Sequence, residues 1–139
     1  MDIKGLRKEY ANPVLTREML DPDPYGQFER WFQKTCNAGL SEPNAMTLAT
    51  VGADGQPTLR PVLLKLFDRD GFVFYTNYGS RKAQQIAVNS RVALLFPWVK
   101  LARQVAITGV AATLSPAATP RCFASRPHES QLGAWISQQ

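Results

Sequence analysis

Residues 45–76 read AMTLATVGADGQPTLRPVLLKLFDRDGFVFYT. Through 45–51, 57–67 and 72–76 the apolar side chains keep close to the two-residue period of a β-strand. The intervening GADGQ and DRDG supply the glycine and aspartate that tight antiparallel connections need. The stretch therefore predicts three strands linked as a meander, not as a βαβ chain. RVALLFPW (91–98) and RQVAITGVAATL (103–114) raise the number of expected strands to five, and a helix over 80–89 interrupts them.

Upstream, Phe28, Trp31, Phe32 and Cys36 recur at helical spacing within 25–38, and Gly39 marks the end of that helix. Such an aromatic face belongs to a core sooner than to a cofactor platform. Residues 3–10 suggest a short basic helix, followed by the proline- and aspartate-rich NPVLTREMLDPDPY; PAATPRCFAS (116–125) and ESQLGAWIS (129–137) suggest two more short helices. The expected fold class is mainly β (α+β), a small, strongly twisted antiparallel sheet with flanking helices. A sheet of this size must close into a barrel or pair its edges with another copy, so a homodimer is expected.

The chain has 139 residues, which fits one domain over 1–139: 1–24 as N-terminal helix and connection, 25–139 as barrel and helices. With 45% hydrophobic and 19% charged residues it reads as an ordinary globular protein. Cys36 and Cys122 stand far apart with no metal-ligand spacing, and His128 is the only histidine, so no metal site is expected. No window has the apolar length to span a bilayer and MDIKGLRKEY lacks a signal-peptide core, which gives a cytoplasmic expectation with no membrane partner. The net charge of +5 favours an anionic partner. The aromatics lie in apolar periodic runs, not interleaved with basic residues on one face, which argues against nucleic acid.

Several polar residues fit an anion. Arg60 and Lys65 are cations within an apolar strand and need partners, Arg60 on one face with Val62 and Leu64, Lys65 on the other with Pro61 and Leu63 unless a bulge intervenes. Thr76, Ser80, Arg81 and Lys82 bring two hydroxyls and two cations to a helix start, where unpaired N–H groups add to the donors; together they suit a phosphate dianion. Each also has an ordinary reading, Ser80 as a helix cap and the cations as solvated side chains. Gln104 can both donate to and accept from a heterocycle edge, or be a surface amide. Arg126, Ser130 and Gln131 offer a second oxyanion receptor, or a loop cation and a cap; His128 is expected on the surface. No carboxylate pair, GxSxG or Walker-type loop occurs, so no catalytic residue is assigned, and the pattern suits a bound cofactor that carries the reaction.

LRPVLLK, FYTNYGSRKAQQI, VALLFPW, RQV and SRPHESQLGAWIS, in this order, resemble the pyridoxamine (pyridoxine) 5'-phosphate oxidases. The likeness implies an FMN-binding split barrel acting as a homodimer with flavin at the subunit interface. Carried over by position, the flavin contacts are Arg60, Pro61, Val62, Leu63, Leu64 and Lys65, then Tyr75, Thr76, Arg81, Lys82, Gln104 and Gln139, with Arg60, Arg81 and Lys82 on the phosphate. The substrate residues are Lys65, Arg126 and Ser130 on the substrate phosphate, and Arg7 and Tyr10 closing over the pocket. The activity implied is oxidation of pyridoxamine or pyridoxine 5'-phosphate to pyridoxal 5'-phosphate, with hydride passing to flavin N5 and oxygen as the final acceptor. Two departures stand out: Cys122 replaces a tyrosine of the family's substrate site, and nothing after WISQQ corresponds to the family's C-terminal flavin and substrate residues. They keep two alternatives open, a flavin-binding protein without turnover and a related flavin oxidase of another substrate, such as the phenazine-pathway type.

Overall fold

The computed structural model describes residues 15–114 together with Gly5. Five strands, β1 (Ala45–Val51), β2 (Pro57–Asp68), β3 (Gly71–Phe74), β4 (Arg91–Trp98) and β5 (Arg103–Val110), form one antiparallel sheet. Helix α1 (Pro24–Asn37) precedes them and α2 (Arg81–Val88) joins β3 to β4. The sheet is curled into a half-barrel flanked by the two helices, as a split barrel requires. The helices expected at 3–10, 116–125 and 129–137 lie outside the described residues.

The sheet order is β3-β2-β1-β4-β5. The first three strands are hairpin-linked as expected, but the crossover through α2 returns β4 to the free edge of β1, which is a Greek key. Two strand ends also differ. β3 stops at Phe74, because the Asn77–Ser80 turn closes just beyond, with Ser80 N–H donating to the Asn77 carbonyl at 3.0 Å and Gly79 N–H to Asn77 Oδ1 at 2.8 Å. Tyr75 and Thr76 thus follow the strand instead of ending it. β5 stops at Val110, which pairs with Arg91, the first residue of β4; one further bond, Ala111 N–H to the Ser90 carbonyl at 2.8 Å, closes the end of the ladder.

Local chemistry sets the turns. Asp68 Oδ1 accepts from the N–H groups of Asp70 (2.8 Å) and Gly71 (3.1 Å), closing the two-residue β2–β3 loop. In the β1–β2 turn Gly55 takes φ +75°, a conformation that side chains rarely adopt. Asp23 caps α1 by accepting from Tyr25 N–H at 3.2 Å, Pro24 occupies the first helical position, and Gly39 follows the helix at φ +66°.

The core lies between the concave face of the sheet and α1. Phe28 is its hub, edge-on to Phe67, Phe72 and Phe96 at ring separations of 4.8–5.0 Å. Met46 and Leu48 from β1, Leu64 from β2, and Leu94, Phe96 and Trp98 from β4 complete the buried set. The Trp98 indole N–H donates to the Pro43 carbonyl at 3.0 Å. The aromatic face of α1 is therefore structural, as its periodicity indicated.

Candidate functional site: a cation cluster at the start of α2

β2 exchanges partners along its length. Residues 57–63 pair with β1, and Leu64 to Asp68 with β3. Among the described residues no strand pairs with the second edge of 57–63. At the exchange point Leu64 faces Phe74 while Leu66 faces Val73, which makes Lys65 the extra residue of a bulge. The inward series Thr58, Arg60, Val62, Leu64 thereby resumes at Phe67, and Lys65 and Leu66 are both exposed.

Arg60 projects from the inward face of β2 into a polar nest. Its Nη1 donates to Thr50 Oγ1 at 2.6 Å and to the Leu48 carbonyl at 3.2 Å; its Nη2 donates to Thr58 Oγ1 and, at 3.3 Å, to Gln85 Oε1. The Thr50 and Thr58 hydroxyls each donate to Gln85 Oε1 at 2.7 Å. Antiparallel register creates the group: Leu48 lies opposite Arg60 and Thr50 opposite Thr58, while α2 lowers Gln85 onto the pair. Thr50 is fully buried and Gln85 nearly so. The sequence offered little sign of Thr50, Thr58 and Gln85. The two-residue step from Thr58 to Arg60 was visible, but the contact with Gln85 spans 27 positions and needs the crossover.

Ser80 caps α2. Its buried Oγ donates to the Asn77 carbonyl at 2.6 Å, accepts from Ala83 N–H at 3.4 Å, and lies 3.1 Å from Thr76 Oγ1. The expected Thr76–Ser80 association is thus present, with Ser80 as cap. The helix then begins with Arg81 and Lys82, whose N–H groups have no acceptor within the helix.

Arg60 lies within electrostatic reach of both Arg81 and Lys82. The Arg60 pKa is lowered, first by burial and then by the Arg81 charge; the Lys82 pKa is lowered, first by burial and then by the Arg60 charge. Among the described residues no carboxylate lies within ion-pair range of the three, the ion pairs being Arg30–Asp21 and Arg69–Asp23. Repelling cations that lack a counter-ion, set beside helix N–H groups, are suited in charge and donor type to a phosphate dianion.

The other expected residues are placed differently. The Val62 and Leu64 side chains pack in the core, so toward a ligand they offer backbone only; Pro61 and Leu63 face outward and are exposed. Tyr75 is half-buried beside Thr76. Gln104 is exposed on β5, with β1 and β4 between its strand and β2, so one protomer does not bring it to Arg60. Arg7, Tyr10, Arg126, Ser130 and Gln139 lie outside the described residues, as do Cys122 and His128. Among the described residues no group of histidine, cysteine and carboxylate side chains could hold a metal ion, and no helix is long and apolar enough to cross a membrane.

Known proteins share both sequence and fold with this chain. A protein of Crocosphaera subtropica named pyridoxine/pyridoxamine 5'-phosphate oxidase is 58% identical over 139 residues, covering 100% of this chain and 65% of that protein. One of the same name from Escherichia fergusonii is 53% identical over 137 residues, covering 99% of this chain and 63% of that protein. The chain therefore spans slightly less than two-thirds of these relatives. In crystal structures, PhzG from Burkholderia lata, in complex with tetrahydrophenazine-1-carboxylic acid, superposes with a TM-score of 0.84 at 27% identity, covering 91% of this chain and 63% of that one. A pyridoxamine 5'-phosphate oxidase-related, FMN binding protein from Nostoc punctiforme shares the fold, with a TM-score of 0.69 at 20% identity over 81% of this chain and 63% of that one. The family model described as pyridoxamine 5'-phosphate oxidase matches residues 32–139. The chain belongs to the pyridoxamine 5'-phosphate oxidase family.

Proposed function

We propose that the chain acts as an FMN-dependent oxidase of pyridoxamine or pyridoxine 5'-phosphate. The observation that carries this reading is the cluster of Arg60, Arg81 and Lys82 at the start of α2, three cations without a carboxylate partner among the described residues. A flavin mononucleotide ends in a phosphate that such a cluster complements. The open edge of β2 would lie along the flavin, with Tyr75 and Thr76 beside it. When bound, FMN supplies a two-electron acceptor for hydride from the 4'-carbon of the substrate, and oxygen restores it.

The residues of the chain hold and orient. Arg60, Arg81 and Lys82 anchor the cofactor phosphate; Lys65, on the outward face with Pro61 and Leu63, joins Arg126 and Ser130 on the substrate phosphate; Arg7 and Tyr10 close the pocket. Charge and position are what such a site contributes, and no general acid or base is assigned.

The active unit is proposed to be a homodimer. Ala106, Leu95, Thr47 and Pro61 form a continuous row across the outward sheet face, an uncharged row next to the exposed Leu59 and Leu63. A second copy seated there would cover this face and could complete the site with its own Gln104 and Gln139.

The test is to saturate purified protein with FMN and add pyridoxamine or pyridoxine 5'-phosphate in air. Peroxide and pyridoxal 5'-phosphate are expected in equal amounts, with ammonia from the amine. Bound FMN with neither product would leave a flavin-binding protein without turnover, and failure to take up FMN would end the flavin reading.

A further inference from the structure

The nest around Arg60 is unusual in being neutral. Among the described residues its acceptors are the Leu48 carbonyl, the Thr50 and Thr58 hydroxyls and the Gln85 amide oxygen, with no carboxylate in ion-pair range. A buried or half-buried arginine is commonly met by Asp or Glu, which satisfies its N–H groups and also cancels its charge. Here the two functions are separated.

The shortest hydrogen bonds of the nest run in one direction, the Thr50 carbonyl being a longer alternative acceptor for the Thr58 hydroxyl at 3.4 Å. The guanidinium can only donate, so both threonine oxygens accept from it and their own hydroxyl protons point to Gln85 Oε1. The amide oxygen is thus the common terminus, which sets the orientation of the Gln85 side chain. Its Nε2 lies toward the β1–β2 turn, where a Cβ built on Gly52 would come within 3.4 Å of it and within 2.9 Å of Asp54 Oδ1. Asp54 is accordingly the carboxylate on the far side of the amide from Arg60, and its Oδ1 accepts from Gln56 N–H at 3.1 Å.

We propose that Gln85 is a positioning residue that fixes Arg60 through neutral acceptors, so that the full cationic charge of Arg60 remains available, with Arg81 and Lys82, to an anionic phosphate ester. This deepens the FMN reading and rests on it for the identity of the ester. Gln85 has a role in the account only through Arg60 and touches no ligand. A carboxylate at the same place would hold the guanidinium as firmly and cancel its charge. The charged group that bears on Lys82 is Arg60 from β2, on which Arg81 acts in turn; Asp54 lies near the far side of the Gln85 amide.

The experiment compares Gln85→Glu with Gln85→Met, each checked for folding by circular dichroism and thermal melting. Two quantities are measured: the titration of Lys82 in ligand-free protein by NMR of its ε-carbon, and the ratio of FMN to riboflavin affinity. Gln85→Glu is expected to raise the Lys82 pKa and to weaken FMN about tenfold or more, with riboflavin, which lacks the phosphate, changed less than twofold. Gln85→Met, which removes the acceptor without adding charge, is expected to weaken FMN without raising the Lys82 pKa. A folded Gln85→Glu protein with Lys82 titrating as before would overturn the inference, as would FMN and riboflavin weakened alike. An unaltered protein that binds the two flavins equally would instead contradict the FMN reading, while the Lys82 titration would still decide the part played by Gln85.

Discussion

Lys82 carries a measurable signature of the cation cluster. Burial and the Arg60 charge lower its pKa in the folded chain, so between that value and the ordinary lysine value the unfolded chain binds more protons than the folded one. Stability of the ligand-free protein is therefore expected to rise as pH climbs through this alkaline window, the reverse of the trend for a lysine that gains a carboxylate partner on folding. Affinity for FMN should fall over the same window, because the neutral amine no longer attracts phosphate. Denaturant midpoints and FMN titrations at stepped pH would check both; a flat response in each would mean that Lys82 does not feel Arg60. At this scale the sequence was informative about charge and silent about support. Arg60, Arg81 and Lys82 stand out in LRPVLLK and GSRKAQQI because cations in or beside apolar runs demand an account. Thr50, Thr58 and Gln85 do not, because a threonine in a strand and a glutamine in a helix are unremarkable until the fold makes them neighbours.

Between elements, the short stretch from the end of β3 to α2 governs how the cations are presented. Ser80 joins the Asn77 turn, Thr76 and the first turn of α2 through one hydroxyl. Replacing it with alanine is expected to destabilise the protein by about 0.5–2 kcal/mol, typical for loss of a helix N-cap, and to loosen FMN because Arg81 and Lys82 follow it directly. Urea denaturation with a parallel FMN titration measures both effects; stability lost without any change in FMN affinity would separate the cap from the site. Strands β1, β2 and β4 were legible almost to the residue, since alternation and turn chemistry are local. The end of β3 and the bulge at Lys65 were not, because both depend on which residue of a neighbouring strand is available to pair. The order of β4 was likewise hidden: RVALLFPW states that it is a strand, and the crossover through α2 decides that its neighbour is β1.

For the whole molecule, the outward sheet face is the feature that a single copy leaves unexplained. Leu59 is 69% exposed, in contact range of an uncharged row that crosses four strands. Charge placed there should oppose pairing of two copies. If two copies pair through this face as proposed, the double substitution Leu59→Glu and Leu63→Glu is expected to shift the protein from dimer to monomer in sedimentation velocity, with the fold of each protomer retained; an unchanged sedimentation coefficient would contradict pairing through this face. The barrel class and the likeness of the whole chain to one family were readable from ordered motifs, whereas the separation of Gln104 from Arg60 by two intervening strands emerged only from the sheet order.

The central claim is that Arg60, Arg81 and Lys82 act together on a phosphate, and the most direct measurement is the affinity for FMN relative to riboflavin before and after Arg81→Ala and Lys82→Ala are combined. With each charge-assisted bond contributing about 1.5–3 kcal/mol, the unaltered protein should prefer FMN by about a hundredfold or more, and the double variant should lose most of that preference while its riboflavin affinity stays the same. An FMN preference that survived both substitutions in a folded protein would contradict the account.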